Sequence, residues 1–235
     1  MLPEHTAKAF DFELQELARM VAEMGGLAEK QVAGSVDALT RRDLPLAREV
    51  VAADPAVDAL QHAIEEKAVL TIARRQPMAV DLRELVGALR IANDLERIGD
   101  LAKNDARRVL ALEGEFHPNK LIRGIEHMGA LVLDQLKEVL DAYASRDVAK
   151  AMAVWTGDEA VDAMCTSLFR ELLTYMMEDP RNITFCIHLM FCAKNLERMG
   201  DHATNIAETV HYMIEGRTIG DERPKGDTTK FAALA

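Results

Sequence analysis

Apolar residues recur at three- and four-residue steps through long tracts of the chain. Phe10, Leu14, Leu17, Met20, Val21, Met24 and Leu27 form one such stripe, the mark of a helix that lays one side on a core. The tracts are cut at Arg41-Arg42-Asp43, Arg75-Gln76-Pro77, Gly114 to Pro118, Ser145-Arg146-Asp147 and Asp179-Pro180. At each of these places proline geometry or an aspartate cap ends or starts a helix. The pattern predicts an all-α chain of six helices at about 5–39, 44–74, 78–112, 119–144, 148–178 and 181–215. Aromatic residues make up only 5 % of the sequence, whereas β-rich folds lean on aromatic and β-branched side chains. From residue 217 onward the apolar period stops, and the stretch 217–235 is expected to be a mobile tail outside the core.

The second half repeats the first. Residues 92–104 and 193–205 align at an offset of 101 with eight of thirteen positions identical, among them Leu95-Glu96-Arg97 with Leu196-Glu197-Arg198, and Gly99-Asp100 with Gly200-Asp201. Upstream, Arg42-Asp43, Asp54 and Ala56-Val57-Asp58-Ala59 match Arg146-Asp147, Asp158 and Ala160-Val161-Asp162-Ala163 at an offset of 104, and Pro77 and Pro180 stand between the matched blocks as a shared corner. A period of this kind marks a duplicated supersecondary unit. The predicted organisation is two tandem homologous three-helix bundles, residues 1–115 and 116–216, followed by the tail.

The repeat gives meaning to a set of acids. Two carboxylates four residues apart sit above one another on a helix and repel by roughly 0.2–0.5 kcal/mol. Five such pairs occur, no more than chance placement would give, but four of them fall at equivalent places in the two halves: Asp54/Asp58 with Asp158/Asp162, and Glu96/Asp100 with Glu197/Asp201. Helix rise is constant, so a proline corner fixes which residues come level when the chain turns back. Asp58 lies 19 residues before Pro77 and Glu96 lies 19 after it; Asp162 lies 18 before Pro180 and Glu197 lies 17 after it. Each half therefore brings four carboxylates face to face across a helix seam, an arrangement that raises their pKa values or calls for a cation. Asn104 and Asn205, four residues beyond Asp100 and Asp201, extend each row by an amide oxygen. Hard oxygen donors without thiolate or imidazole suit Mg²⁺, Mn²⁺, Ca²⁺ or iron. The competing reading of the same acids is ion pairing on solvated helix faces, with Arg97 and Arg198 at hand. Gly99 and Gly200 fit either a close approach to the backbone or tight helix packing.

Composition narrows the functional classes. The three cysteines, Cys165, Cys186 and Cys192, show no CxxC spacing and are expected to be buried, free and in a reducing compartment. The opening Met1-Leu-Pro-Glu-His-Thr lacks the basic and then apolar character of a secretion signal. The longest uncharged apolar stretch, Ile183 to Ala193, falls short of the approximately 20 residues of a membrane span. A net charge of -11 disfavours nucleic acid and anionic lipid. A di-iron carboxylate enzyme needs two Glu-x-x-His elements, and only Glu208-x-x-His211 is present. No nucleotide-binding or nucleophile motif occurs. A binding protein is expected rather than an enzyme, the rival being a carboxylate-bridged metal-dependent hydrolase.

Leu95-Glu-Arg-Ile-Gly-Asp100, Asn195-Leu-Glu-Arg-Met-Gly-Asp-His-Ala-Thr-Asn-Ile-Ala-Glu208, Gln76-Pro-Met-Ala-Val-Asp-Leu-Arg83, Phe10-Asp-Phe-Glu-Leu14 and Tyr175-Met-Met-Glu-Asp-Pro180 together resemble the PhoU family of bacterial phosphate-signalling proteins. The resemblance implies a pair of three-helix bundles with metal clusters on the acidic motifs, here Asp54, Asp58, Glu96, Asp100, Asp158, Asp162, Glu197 and Asp201. It also implies a cytoplasmic, often dimeric adaptor that couples the ATPase subunit of the phosphate ABC transporter to a sensor histidine kinase and holds the phosphate-starvation response off. Such a protein meets the membrane only through its partners. A regulator of another transporter would share the same residues.

Overall fold

The computed structural model describes residues 4–114 and 119–220, with side chains from residue 10 onward except those of residues 119 and 120. Among the described residues there are seven α-helices: α1 (Glu4–Arg41), α2 (Leu44–Arg75), α3 (Val80–Ala111), α4 (Asn119–Ser145), α5 (Val148–Gly157), α6 (Glu159–Glu178) and α7 (Ile183–Glu215), with a 3-10 turn at Pro180–Asn182 before α7. No strand occurs among them.

The corners between the first two helices of each half are built alike. Arg42 and Arg146 take left-handed backbone angles, φ 56° and 55°, a conformation more often given to glycine at a helix end. The next residue then caps the following helix: Asp43 Oδ1 accepts from the Leu46 amide at 2.9 Å, and Asp147 Oδ1 from the Lys150 amide at 3.1 Å. Each cap satisfies a backbone donor that the first helical turn leaves open.

The structure corrects the sequence reading of the fifth helix. The expected single helix 148–178 is broken at Gly157 and Asp158 into α5 and α6. The Asp158 carbonyl then accepts from the Val161 amide at 3.1 Å and the Asp162 amide at 3.3 Å, so the chain resumes helix at once. At the equivalent place in the first half Pro55 sits inside α2, where its missing N–H removes one intrahelical bond. Both second helices are thus weakened beside their first acid, in one case by a proline and in the other by a break.

Packing gives a pseudo-two-fold arrangement. Helices α1, α2 and α3 pack on one another, as do α4, α5/α6 and α7, and the halves meet through α1 against α4 and α3 against α7. Helix α2 lies against α1 and α3, while α5 and α6 lie against α4 and α7, so these elements flank a central four-helix layer. Gly25 on α1 and Gly129 on α4, offset by 104, make the first inter-half contact close: a Cβ on Gly25 would stand 2.8 Å from Leu140, and one on Gly129 would stand 2.7 Å from Val36. The reciprocal pairs show that α1 and α4 run antiparallel.

The α3–α7 seam is also antiparallel and contains polar groups. Arg90 lies 5.2 Å from the Tyr212 ring centroid at one end and Arg108 lies 4.1 Å from that of Phe191 at the other. Between them, His202 Nδ1 meets Asp94 Oδ1 at 2.9 Å, Asn205 Nδ2 donates to the same oxygen at 3.4 Å, and Asn195 Nδ2 donates to Asp105 Oδ1 at 2.7 Å. Glu84 on α3 forms an ion pair with Arg146 at the α4–α5 corner, adding a further charged link between the halves.

The three cysteines are buried and form no disulfide among the described residues. No helix among the described residues is long and apolar enough to cross a membrane. Part of the expected tail belongs to the fold: α7 ends on Gly216 with φ 74°, and Ile219 packs against the core. This corrects the reading that the core stops at residue 216. Residues 221–235 lie outside the described residues.

Complete burial pushes the Asp105 carboxyl up to about 8, although Asn195, the Cys192 thiol and the Arg108 charge pull it down. The folded chain therefore holds a proton that the unfolded chain releases near its ordinary 3.8. Stability is fullest below that lower value and falls as pH rises toward about 8. The limiting slope is ~1.4 kcal/mol per pH unit. Urea unfolding between pH 5.5 and 8 is expected to show this decline in the native chain and a clearly smaller one in Asp105→Asn; identical slopes would refute the assignment.

Candidate functional site

The acid rows lie on the seams between the second and third helices of each half. In the first half, Asp54 and Asp58 project from α2 toward Glu96 and Asp100 on α3. Glu96 is pushed above the ordinary carboxylate range by burial, then by the Asp100 charge, with Asp58 adding to the effect and Arg97 opposing it. The level pairing expected from Pro77 is thus visible in which charges Glu96 feels. In the second half burial again raises Glu197, Lys194 opposes, and the Asp201 and Asp162 charges add. At both seams the third-helix glutamate feels the charge of the aspartate one turn on and of one aspartate from the second helix. Asp158 joins the second group from the α5–α6 break, where its Oδ1 accepts from the Thr204 hydroxyl at 3.3 Å.

Basic side chains enter these groups differently. Lys103, one turn beyond Asp100 on α3, reaches Asp54 Oδ2 at 2.6 Å and also bonds to Asp100 Oδ1. Burial works against its charge, but the two carboxylates outweigh burial and raise its pKa. Lys194 donates to Glu197 Oε1 at 2.7 Å from the outer face of α7. Its side chain is 51 % exposed, against 15 % for Lys103, so Lys194 is a rim charge and Lys103 an internal one.

Two glutamines complete the sites and were not legible as site residues beforehand. Gln31 on α1 and Gln135 on α4 are offset by 104 and back onto the glycine between the acids of each third helix. A Cβ on Gly99 would stand 2.7 Å from Gln31 Oε1, and one on Gly200 would stand 3.1 Å from Gln135 Oε1 and 3.4 Å from Asp158 Oδ1. These glycines make room for a polar side chain. Gln31 is 3 % exposed. Neither its amide atoms nor Gln135 Oε1, Glu96 Oε2 and Glu197 Oε2 finds a hydrogen-bond partner, which is costly for buried polar atoms. Arg97 Nε stands 3.4 Å from Glu96 Oε2 without forming such a bond. The repeat offset would have paired the two glutamines had it been followed into the first helix.

The two asparagines that extend the rows take different places. Asn104 is exposed, and Asn205 turns across the α3–α7 seam to Asp94, because the third helices face each other there. Among the described residues no three His, Cys, Asp or Glu side chains are drawn together as a ready ligand set for a metal ion. The oxygens are near neighbours, oriented in part toward lysines rather than toward one common point.

Comparison with known proteins agrees with this architecture. The PhoU domain model matches residues 21–109 and again 125–210. The chain belongs to the PhoU family. It is 60 % identical over 225 residues to the phosphate-specific transport system accessory protein PhoU homolog of Rhizobium meliloti (strain 1021), covering 96 % of this chain and 95 % of that one. The homolog of the same name from Caulobacter vibrioides is 54 % identical, with 96 % and 98 % covered. The crystal structure of PhoU from Pseudomonas aeruginosa superposes with a TM-score of 0.83 at 41 % identity, covering 88 % of this chain and all of that one. A PhoU phosphate transport system regulatory protein from Streptococcus pneumoniae gives 0.82 at 28 % identity, with 90 % and 100 % covered. Both PhoU domain matches contain one complete set of four acids.

Packing at Gly99 is testable within this PhoU fold. Alanine for a mid-helix glycine gains ~1 kcal/mol from propensity alone. At Gly99 the added methyl meets the buried Gln31 amide, and we expect Gly99→Ala to lower stability, with Gln31→Ala/Gly99→Ala showing a favourable coupling above ~0.5 kcal/mol. Strict additivity in a denaturation cycle would remove Gln31 from the site.

Proposed function

We propose that the chain is an accessory protein of phosphate-specific transport, acting by binding and not by catalysis. The observation that carries this reading is the near full-length kinship with proteins of that name, together with two equivalent acid sites at the seams. In this reading it couples the ATPase subunit of the transporter to a sensor histidine kinase, restrains the phosphate-starvation response, works in the cytoplasm as a homodimer and reaches the membrane through its partners.

The acid seams are proposed as metal sites. Asp54, Asp58, Glu96 and Asp100 would hold an ion in the first half, and Asp158, Asp162, Glu197 and Asp201 in the second. The donors are carboxylate oxygens, the chemistry of Mg²⁺, Mn²⁺, Ca²⁺ or iron sites. The fit is supported by the buried Glu96 Oε2 and Glu197 Oε2, which accept no hydrogen bond, and by the mutual charge that raises both glutamates. Binding requires the carboxylates to rotate away from their lysines. A bound cation would neutralise the facing acids and fix the spacing of the second and third helices, and that spacing sets the surface shown to a partner. The net charge of -11 and the acidity of the sites argue against free phosphate as a direct ligand.

Metal content of protein purified without chelator or tag is the test. The native chain is expected to carry metal at both halves, Glu96→Ala/Asp100→Ala to lose one share and Glu197→Ala/Asp201→Ala the other. Absence of metal from every form, after exposure to Mg²⁺, Mn²⁺ or iron, would return the acids to surface pairing. A cell lacking the protein is expected to express its phosphate-starvation genes under plentiful phosphate; unchanged expression would end the regulatory reading.

A further inference from the structure

Exposed apolar side chains recur at equivalent places in the two halves, with opposite charges beside them. Leu173 on α6 is 50 % exposed, and Val69, its counterpart on α2 at the offset of 104, is 59 % exposed. Phe169, Arg170 and Leu173 of α6 and Lys194 of α7 line a groove of about 330 Å³ between the two helices. The groove also touches the acid seam, where Lys194 pairs with Glu197. At the four lining positions the first half carries Glu65, Glu66 and Val69 on α2 and Asn93 on α3. The second-half strip is thus apolar and basic, and the first-half strip apolar and acidic. Glu65 meets His62 of its own helix at 3.8 Å. Arg170 and Glu66 are exposed, and among the described residues neither side chain has a hydrogen-bond or ion-pair partner.

We infer that the α6–α7 groove of one copy receives the α2 strip of a second copy of the chain, with Leu173 against Val69 and Arg170 against Glu66. This gives a surface to the homodimer of the functional reading above and rests on that reading. Covering the two strips removes their apolar groups from water, and the opposite charges choose the pairing. Equivalent strips of a duplicated fold meet as like surfaces do across a two-fold axis, each position opposite its counterpart. Pairing either strip with itself would set Glu66 against Glu66 or Arg170 against Arg170, and that repulsion selects against it. The crossed pairing turns both repulsions into attractions. The internal pseudo-two-fold relates the two strips within one copy, so a two-fold axis between copies can bring groove to strip and strip to groove together, which closes the assembly at two chains. One helix strip in one groove is small beside the ~800 Å² per partner of a stable interface; making the contact twice doubles the covered surface.

Analytical ultracentrifugation of the full chain is the test. The native chain is expected to sediment as a dimer at micromolar concentration. Arg170→Glu and Glu66→Arg are each expected to weaken the dimer roughly tenfold or more, and Glu66→Arg/Arg170→Glu, which restores the crossed pair with its charges exchanged, to recover it. A monomeric native chain would overturn both the homodimer reading and this surface. A native dimer that neither single reversal weakens would overturn the surface and leave the homodimer standing, and weakening by both singles without recovery in the double would do the same. A second measurement does not depend on charge reversal. Val69→Cys/Leu173→Cys is expected to form a covalent dimer under mild oxidation, read on a non-reducing gel, whereas a chain that stays monomeric on that gel would count against the contact.

Discussion

Helices α3 and α7 are buried along most of their circumference and keep only a narrow exposed strip, which on α7 runs through Phe191, Lys194 and Arg198. Each is enclosed by two neighbours of its own half and by the other along the antiparallel seam, and the identity of the buried groups follows from that enclosure. Where a third helix faces its first helix, the Gly99 and Gly200 clearances admit the Gln31 and Gln135 amides. Where it faces its second helix the acids meet. Where α3 faces α7 the chain places Asp94, His202, Asn195, Asn205 and Asp105, which pair across the seam and fix its register. A purely apolar seam between two long helices tolerates sliding by a turn, whereas paired polar groups penalise it through unsatisfied donors and acceptors.

The helices and their tandem duplication were legible because both are periodic signals carried by many residues. The level relation of Asp58 to Glu96 was legible too, since constant helix rise and a proline corner determine it without tertiary detail. What escaped is what depends on a third element. Gln31 and Gln135 look like ordinary polar positions until the first helix is laid on the glycines. Asn205 looks like a continuation of the acid row until α3 arrives on its other side. Lys103 stands in plain view one turn from Asp100, but its second partner, Asp54, lies across the seam. The break at Gly157 and Asp158 escaped for a local reason: the apolar period continues through it, and only the glycine marks the place.

Duplication begins with two identical halves, so each departure from equivalence locates an independent change. Here the acids, the glycines, the glutamines and the Arg-Asp corners are held in both halves, while the basic residue beside the acids and the continuity of the second helix are not. The shared set provides the geometry of a charged seam. The unshared set governs how that seam is neutralised and how readily its walls can move.

The interruption between α5 and α6 has a mechanical consequence. A continuous helix transmits a displacement along its length as a nearly stiff rod, so a movement at Asp54 or Asp58 must carry the far end of α2, Pro55 notwithstanding. In the second half the helix is interrupted at Asp158, although its backbone angles stay helical at φ -61° and ψ -29°, so the same movement meets a weaker link there. The Trp155 indole, which donates to Glu208 on α7 at 3.0 Å, anchors α5 ahead of that link, and α6 packs on α4 and α7 beyond it. The two halves therefore differ in where a strain along the second helix would first be relieved.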